Sequence, residues 1–512
     1  MEKKKFPNKR RYSKPRKDKV ETEGKEVKKD VHNDPSWYMS DTQLINDVAS
    51  ISFNTALGNT VTLRGPSNNL TVNLPGIMTI YTAPTIGVSK NANSPVNIAM
   101  RRLYTYVRHQ NSGHSNYDPA DLMLYMLAMD SVYTYWAYMV RAYGVAQVFS
   151  RTNKYVGDAL LTAMGINPTD IRQNLANFRA YINVFAGKAM QWCVPKVMTY
   201  FLRHNWMYSN IYKDEDDSKA QMYMYVPAGL YQYHPTISAG AGGLQMAALT
   251  VASTTNGLVP ISNPNSYAYL VTYGNELLRS LAGQEDIGII SGDILKAYGA
   301  ENLWRIDTIP EDYAVAPVFS EEVLAQIHNT DFASSYIIDD QGETVGLAGL
   351  NVFQDVAVGS GELIFDPIFN ATAHLEYDGL VDFWKEGATA DDIMVATRNK
   401  LAGVPFDNGS KALTRAHKLT SCGSEIALFG VIYTIAGNLL LNNVVYRADN
   451  YSPAHNDITK FNEAPIRPVF TSSGVYSSYF GELSNYGVFS RSNIDQIHEV
   501  ALMSMFGVPY LK

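Results

Sequence analysis

Histidine and aspartate crowd one stretch of this chain, RHQNSGHSNYDPAD, which holds His109, His114, Asp118 and Asp121. Such side chains can ligate a divalent metal or move protons. Their spacing matches no standard metal site, and Asp118 stands directly before Pro119, where a helix start needs a cap. The acidic pairs Asp339–Asp340 and Asp391–Asp392 have the chemistry of general acid–base carboxylates, but both fit turn or helix-start positions. His204, in FLRHNW, lies in an apolar helical pattern and reads as a core or helix-surface histidine. The sequence contains no HExxH, no G-x-S-x-G and no G-x-x-x-x-G-K-S/T. No catalytic residue, metal ligand or cofactor is assigned, and the chain reads as a non-enzyme.

The chemistry that is clearly marked belongs to the first twenty residues. MEKKKFPNKRRYSKPRKDKV sets Lys3, Lys4, Lys5, Lys9, Arg10, Arg11, Lys14, Arg16, Lys17 and Lys19 against Glu2 and Asp18, a local net charge of +8 in a chain that totals −7. Residues 21–512 therefore carry −15. A cationic run of this kind neutralises phosphates and releases counterions. With about eight phosphates neutralised, log K falls against log salt with a slope of about −6 to −7. Phe6 and Tyr12 can stack on bases. No base-reading module accompanies them, so these ten cations are expected to bind nucleic acid without sequence preference. A solubilising tail or a nuclear import signal is the competing use of the same residues.

The elements behind these residues follow from composition and spacing. A chain of 512 residues with 46% hydrophobic and 18% charged side chains can bury a large core. Its 34 tyrosines suit contacts between proteins as well as cores. Cys193 and Cys422 form no CxxC and read as free thiols of a reducing compartment. Residues 1–35 are too polar to order themselves. Residues 36–90 alternate β-formers with polar residues and read as an extended arm. From Pro95 the spacing is helical. A long helix is expected from Asp118 to a stop at Gly144, apolar nearly all round, with Asp130 buried at its middle. IRQNLANFRAYINVFAGKAM and VPKVMTYFLRHNWMYSNIYK predict further helices, and AQMYMYVP a strand. Residues 235–265 read as a long exposed connection, 266–300 as helical and 330–380 as β-like. IALFGVIYTIAGNLLLNNVVY, Ile426 to Tyr446, is uncharged and reads as a buried helix, a membrane span being the rival. The class expected is mainly α with minor β.

Two blocks carry a family likeness: SPVNIAMRRLYTYVRHQNSGHSNYDPADLMLYMLAMDSVYTYWAYMVRAYG, from Ser94, and CVPKVMTYFLRHNWMYSNIYKDEDDSKAQMYMYVPAGLYQY, from Cys193. Both resemble the capsid protein of picobirnaviruses, small non-enveloped viruses with a bisegmented double-stranded RNA genome. The resemblance implies a large helical shell domain from residues 91–235 and 401–512. It implies an inserted mixed α/β projecting lobe over 236–400 and a disordered basic N-terminal arm over 1–35 facing the RNA. Residues 36–90 would be the arm that dimer partners exchange. The function implied is a virion protein that dimerises, self-assembles into an icosahedral shell and packages double-stranded RNA. It would be assembled in the host cytoplasm, with transient membrane contact during entry. The alternatives are a non-assembling RNA-coating nucleoprotein and a self-cleaving membrane-active protein; no residue marks a cleavage site.

Overall fold

A computed structural model describes residues 35–508 apart from 52–59, 74–75, 112–116, 153, 217–219, 239–240, 356–360, 371–372, 408–415, 434–466, 472–473 and 481–484. The expected disorder of residues 1–35 lies outside the described residues except at Pro35, which opens the turn Pro35–Trp37. Two compact units are present, residues 1–54 and 55–512. The first holds α1 (Thr42–Ala49), capped by the Asp41 carboxylate, which accepts from Gln43 and Leu44 N–H; none of its residues is buried.

The second unit is organised on one helix. Its early helices are α2 (Pro95–Gln110), α3 (Pro119–Thr152), α4 (Lys154–Ala163), α5 (Pro168–Gln173), α6 (Leu175–Ala189) and α7 (Tyr200–Ser209). The later ones are α8 (Tyr267–Ala282), α9 (Glu285–Tyr298), α10 (Glu321–His328), α11 (Ala390–Ala396) and α12 (Arg491–Met505). α3 packs against α2, α4, α6, α7 and α8, as a helix apolar all round must. Its tyrosines stay inside by donating their hydroxyls to main-chain carbonyls of the surrounding segments. Tyr125 reaches Cys193 O at 2.9 Å, Tyr133 Trp304 O at 3.1 Å and Tyr135 Leu270 O at 2.6 Å. Tyr138 reaches Met164 O and Tyr143 Glu311 O, both at 2.7 Å. A buried hydroxyl without a partner costs roughly 1–3 kcal/mol, so these bonds are what admit tyrosine to the core. Many of the chain's tyrosines are therefore core residues rather than contact-surface residues.

The expected stop at Gly144 does not occur: α3 runs 34 residues, about 51 Å at 1.5 Å per residue. Gly144 serves a close approach instead. A Cβ there would stand 2.6 Å from Val315 Cγ2 and 2.8 Å from its backbone nitrogen. Gly144→Val is expected to lower stability by about 1–3 kcal/mol through overpacking. A reduced denaturant midpoint with an unchanged slope checks this. The helix start also differs in detail, because Asp121 accepts from the Asp118 N–H at 2.9 Å.

Against the helices lies a five-stranded sheet in the order Val318–Phe319, Tyr212–Lys213, Met222–Pro227, Ile77–Pro84, Glu425–Tyr433. Ile77–Pro84 runs parallel to Met222–Pro227 and antiparallel to Glu425–Tyr433. Met222–Pro227, Ile77–Pro84 and the edge strand Glu425–Tyr433 are buried along their whole length, which explains their largely apolar runs. The helix expected from Ile426 is thus a strand up to Tyr433. A fully buried run has no polar face, so its periodicity cannot separate strand from helix. Its remainder, to Tyr446, lies outside the described residues. No helix among the described residues is long and apolar enough to cross a membrane.

The exposed connection expected over 235–265 is also corrected. Gly229–Ser238 and Ala241–Ala248 pair along one side of a four-stranded antiparallel sheet, and Val251–Thr254 pairs with Gly257–Pro260. Its glycines serve tight strand packing: a Cβ on Gly243 would fall 2.5 Å from Val352 O. The architecture is mixed α/β rather than mainly α. One hydrophobic cluster runs from Ile77 to Phe506. Two small satellites, around Ile338, Ile368 and Ala416 and around Val381, Phe383 and Ala396, lie apart from it.

Candidate functional site

The residues singled out by chemistry do not converge. The ten cations from Lys3 to Lys19 and His114 lie outside the described residues. His109 is exposed at the end of α2. The flanking Asn111 and Tyr117 tie this block to α9: Asn111 Nδ2 donates to Asp293 O at 3.1 Å and the Tyr117 hydroxyl to Asp293 Oδ2 at 2.8 Å. Asp339 accepts from Gln341 and Glu343 N–H in a turn. Asp392 closes the capping box of α11 with Thr389. Lys385, 2.8 Å away, and the Thr389 N–H hold its carboxyl down at about 2. Among the described residues no group of three or more His, Cys, Asp or Glu is placed to hold a metal. Both cysteines are free. Burial pushes the Cys422 thiol up to about 12, which removes it as a nucleophile.

What the fold does assemble is a buried ionic centre. α3 brings Asp130, α7 brings Arg203 and His204, and the edge strand Glu425–Tyr433 brings Glu425. His204 is 0% and Asp130 1% exposed. Nδ1 of His204 lies 2.6 Å from Asp130 Oδ2, and its Nε2 lies 3.2 Å from Ser424 O and 3.9 Å from Glu425 Oε2. Arg203 donates through Nε to Glu425 Oε1 at 3.0 Å and through Nη1 to Gln326 Oε1 at 3.1 Å. The Ser424 hydroxyl donates to Glu425 Oε2. Arg203 also lies over the Trp206 ring, 5.0 Å from its centre.

Burial opposes charge on His204, but the Asp130 carboxylate, its hydrogen bond and Glu425 outweigh burial and raise its pKa. Burial likewise pushes Asp130 up. The Nδ1–Oδ2 line therefore holds one proton at neutral pH, whichever partner carries it. Burial would raise Glu425 too, yet Arg203 and His204 hold it below the usual carboxylate range. Two acids and two bases compensate one another, and Gln326 Oε1 and Ser424 O take donors that the two acids do not. Sequence reading marks Asp130 and His204 singly but misses Arg203 and Glu425. The available signal is that an acid in one apolar segment and bases in another must pair if both segments are buried.

A second feature is a surface that no described residue covers. Thr60–Arg64 and Asn69–Asn73 form a hairpin that joins no other strand among the described residues. Residues 62–70 are exposed throughout, and the cross-strand pair Leu63 and Leu70 is 51% and 60% exposed.

The centre is sealed from solvent and joins a helix pair to a sheet, as a structural element of a packed subunit does. Comparison with known proteins agrees. The family model for the picobirnavirus capsid protein matches residues 37–455, and the chain belongs to that family. The capsid protein precursor of human picobirnavirus is 29% identical over 534 residues, covering 95% of this chain and 93% of that protein. The crystallographic structure of the picobirnavirus capsid superposes with a TM-score of 0.74 at 24% identity, over 94% of this chain and 100% of that one. That likeness shows the fold. The protein is thus a structural component of the virion.

Proposed function

We propose that the chain dimerises and self-assembles into a closed icosahedral shell that packages double-stranded RNA through Lys3 to Lys19. The observation that carries the reading is the uncovered hairpin. A two-stranded hairpin is marginal in water, and Leu63 and Leu70 face solvent across it. A second copy of the chain is the natural cover, in keeping with an arm over 36–90 exchanged between partners. The charge split supports the rest. The leader, at +8, meets phosphate, and the body, at −15, keeps particles apart and does not trap RNA on the outside. Residues 236–400 supply most of the two satellite clusters, which suits an outward-projecting part. Assembly would take place in the host cytoplasm, with membrane contact confined to entry.

The test replaces both hairpin leucines, Leu63→Asp with Leu70→Asp. Electron microscopy and size-exclusion chromatography of the full chain are expected to show loss of dimers and particles, while the thermal midpoint of the body is unchanged. Particles at wild-type yield would overturn the role given to the hairpin. Short regular nuclease footprints on RNA without particles would favour the RNA-coating nucleoprotein.

A further inference from the structure

The last helix closes over a cavity that holds a buried, under-bonded histidine. α12 packs on α2 and on the strands Ala402–Pro405, Ala416–Ser421 and Asn485–Phe489. Between α12, the loop before α2 and the end of Ala416–Ser421 lies a cavity of about 310 Å³. His498 stands in its wall and is 1% exposed. Its Nε2 donates to Lys400 O at 2.8 Å, and its Nδ1 is buried without a hydrogen-bond partner. A neutral imidazole with one donor and one idle acceptor satisfies this setting. An imidazolium does not, because the second N–H would be buried with nothing to receive it.

The charges around the ring point the same way. Arg398, whose guanidinium is itself buried, repels a proton on His498; Glu425 attracts one more weakly. The other charged groups lining the cavity are Lys90 from the loop before α2, which pairs with Asp366 at 3.2 Å, and Asp495 and Glu499 on α12 itself. Arg491 donates from the start of α12 to Gly403 O.

We propose that α12 is an acid-released strap: a proton taken up from solvent on Nδ1 of His498 is accommodated only when the helix leaves the body. Release uncovers the apolar face that α12 now buries, including Ile494, Ala501 and Leu502. The cavity gives water and protons a route to His498. The sign follows from linkage. In the docked helix, burial and Arg398 pull His498 down to about 3. In the released helix it titrates at about 6.5. The released state therefore binds the extra proton between these values, and docking weakens as pH falls through 6.5. At pH 5 the released fraction rises about thirty-fold over its value at about pH 7.5. The inference does not require a shell, since α12 and its seat belong to one chain.

Hydrogen–deuterium exchange of the full-length chain at pH 7.5 and pH 5, corrected for intrinsic rates, reads the release directly. Amides of residues 491–505 are expected to open about thirty-fold more often at the lower pH. His498→Gln keeps an N–H for Lys400 O and cannot take the proton, so the pH response should vanish. An unchanged response in that variant, or none in the wild type, overturns the proposal. Should His498→Gln not fold, carbon-bound hydrogen exchange at His498 in the wild-type chain decides. A titration well below that of free imidazole supports the strap, and one near 6.5 overturns it.

Discussion

Glu425→Gln is expected to remove about 3–5 kcal/mol of stability, the usual cost of breaking a buried pair from one side. The amide keeps the shape of the carboxylate but leaves the Arg203 guanidinium, held at 3.0 Å, without its counter-charge. His204 loses a supporting acid at 3.9 Å. Equilibrium denaturation of the unassembled subunit checks the size of the loss. A double-mutant cycle with Arg203→Met should recover a large part of it, because a cycle isolates the pair. Wild-type stability of Glu425→Gln would show that the centre is open to water. Asp130→Lys is harsher, since it sets a cation against His204 and blocks folding outright.

The same centre fixes a pH window. The Asp130–His204 pair holds a proton that the unfolded chain gives up near pH 6.5, and the folded pKa of His204 is raised. Its contribution is complete below that point and is lost as pH rises through the folded value. Glu425 works in the opposite sense. Its folded pKa is depressed, so its contribution is present above the unfolded carboxylate range and is lost as pH falls through the folded value.

Deleting residues 1–20 should leave the subunit folded and strip the particles of RNA. The deletion removes ten cations and a local charge of +8, and almost no apolar surface. The remaining chain is net negative, so its affinity for phosphate should fall by orders of magnitude at low salt and lose most of its salt dependence. The absorbance ratio at 260 and 280 nm of purified particles, with RNA extracted from them, gives the measurement. Truncated particles as rich in RNA as full-length ones would assign packaging to the body.

Local signals were legible where one physical effect dominated. Pro119 behind Asp118 marks the start of α3, and MYMYVP has the β-forming density of an inner strand. Asp130 stands out because a lone acid in an apolar helix must find a base. Legibility failed where a residue type serves two ends. Gly144 has the composition of a helix stop, but Val315 presses against it, a contact 171 positions along the chain. The glycines before 265 look like loop and instead permit strands to pack closely. The uncharged run from Ile426 carries no polar face, and only its pairing with Ile77–Pro84 makes it a strand. Glu425, one residue before that run, could not be seen as part of a centre until the strand was in place.

The tyrosine bonds of α3 bear on how such a protein can drift. Each hydroxyl grips a peptide oxygen, at residues 164, 193, 270, 304 and 311. A peptide oxygen is supplied by any amino acid, so the anchorage does not specify which side chain stands at the anchored position. The surrounding segments can exchange side chains at these five positions without losing the bonds, while the helix that moors them stays the same.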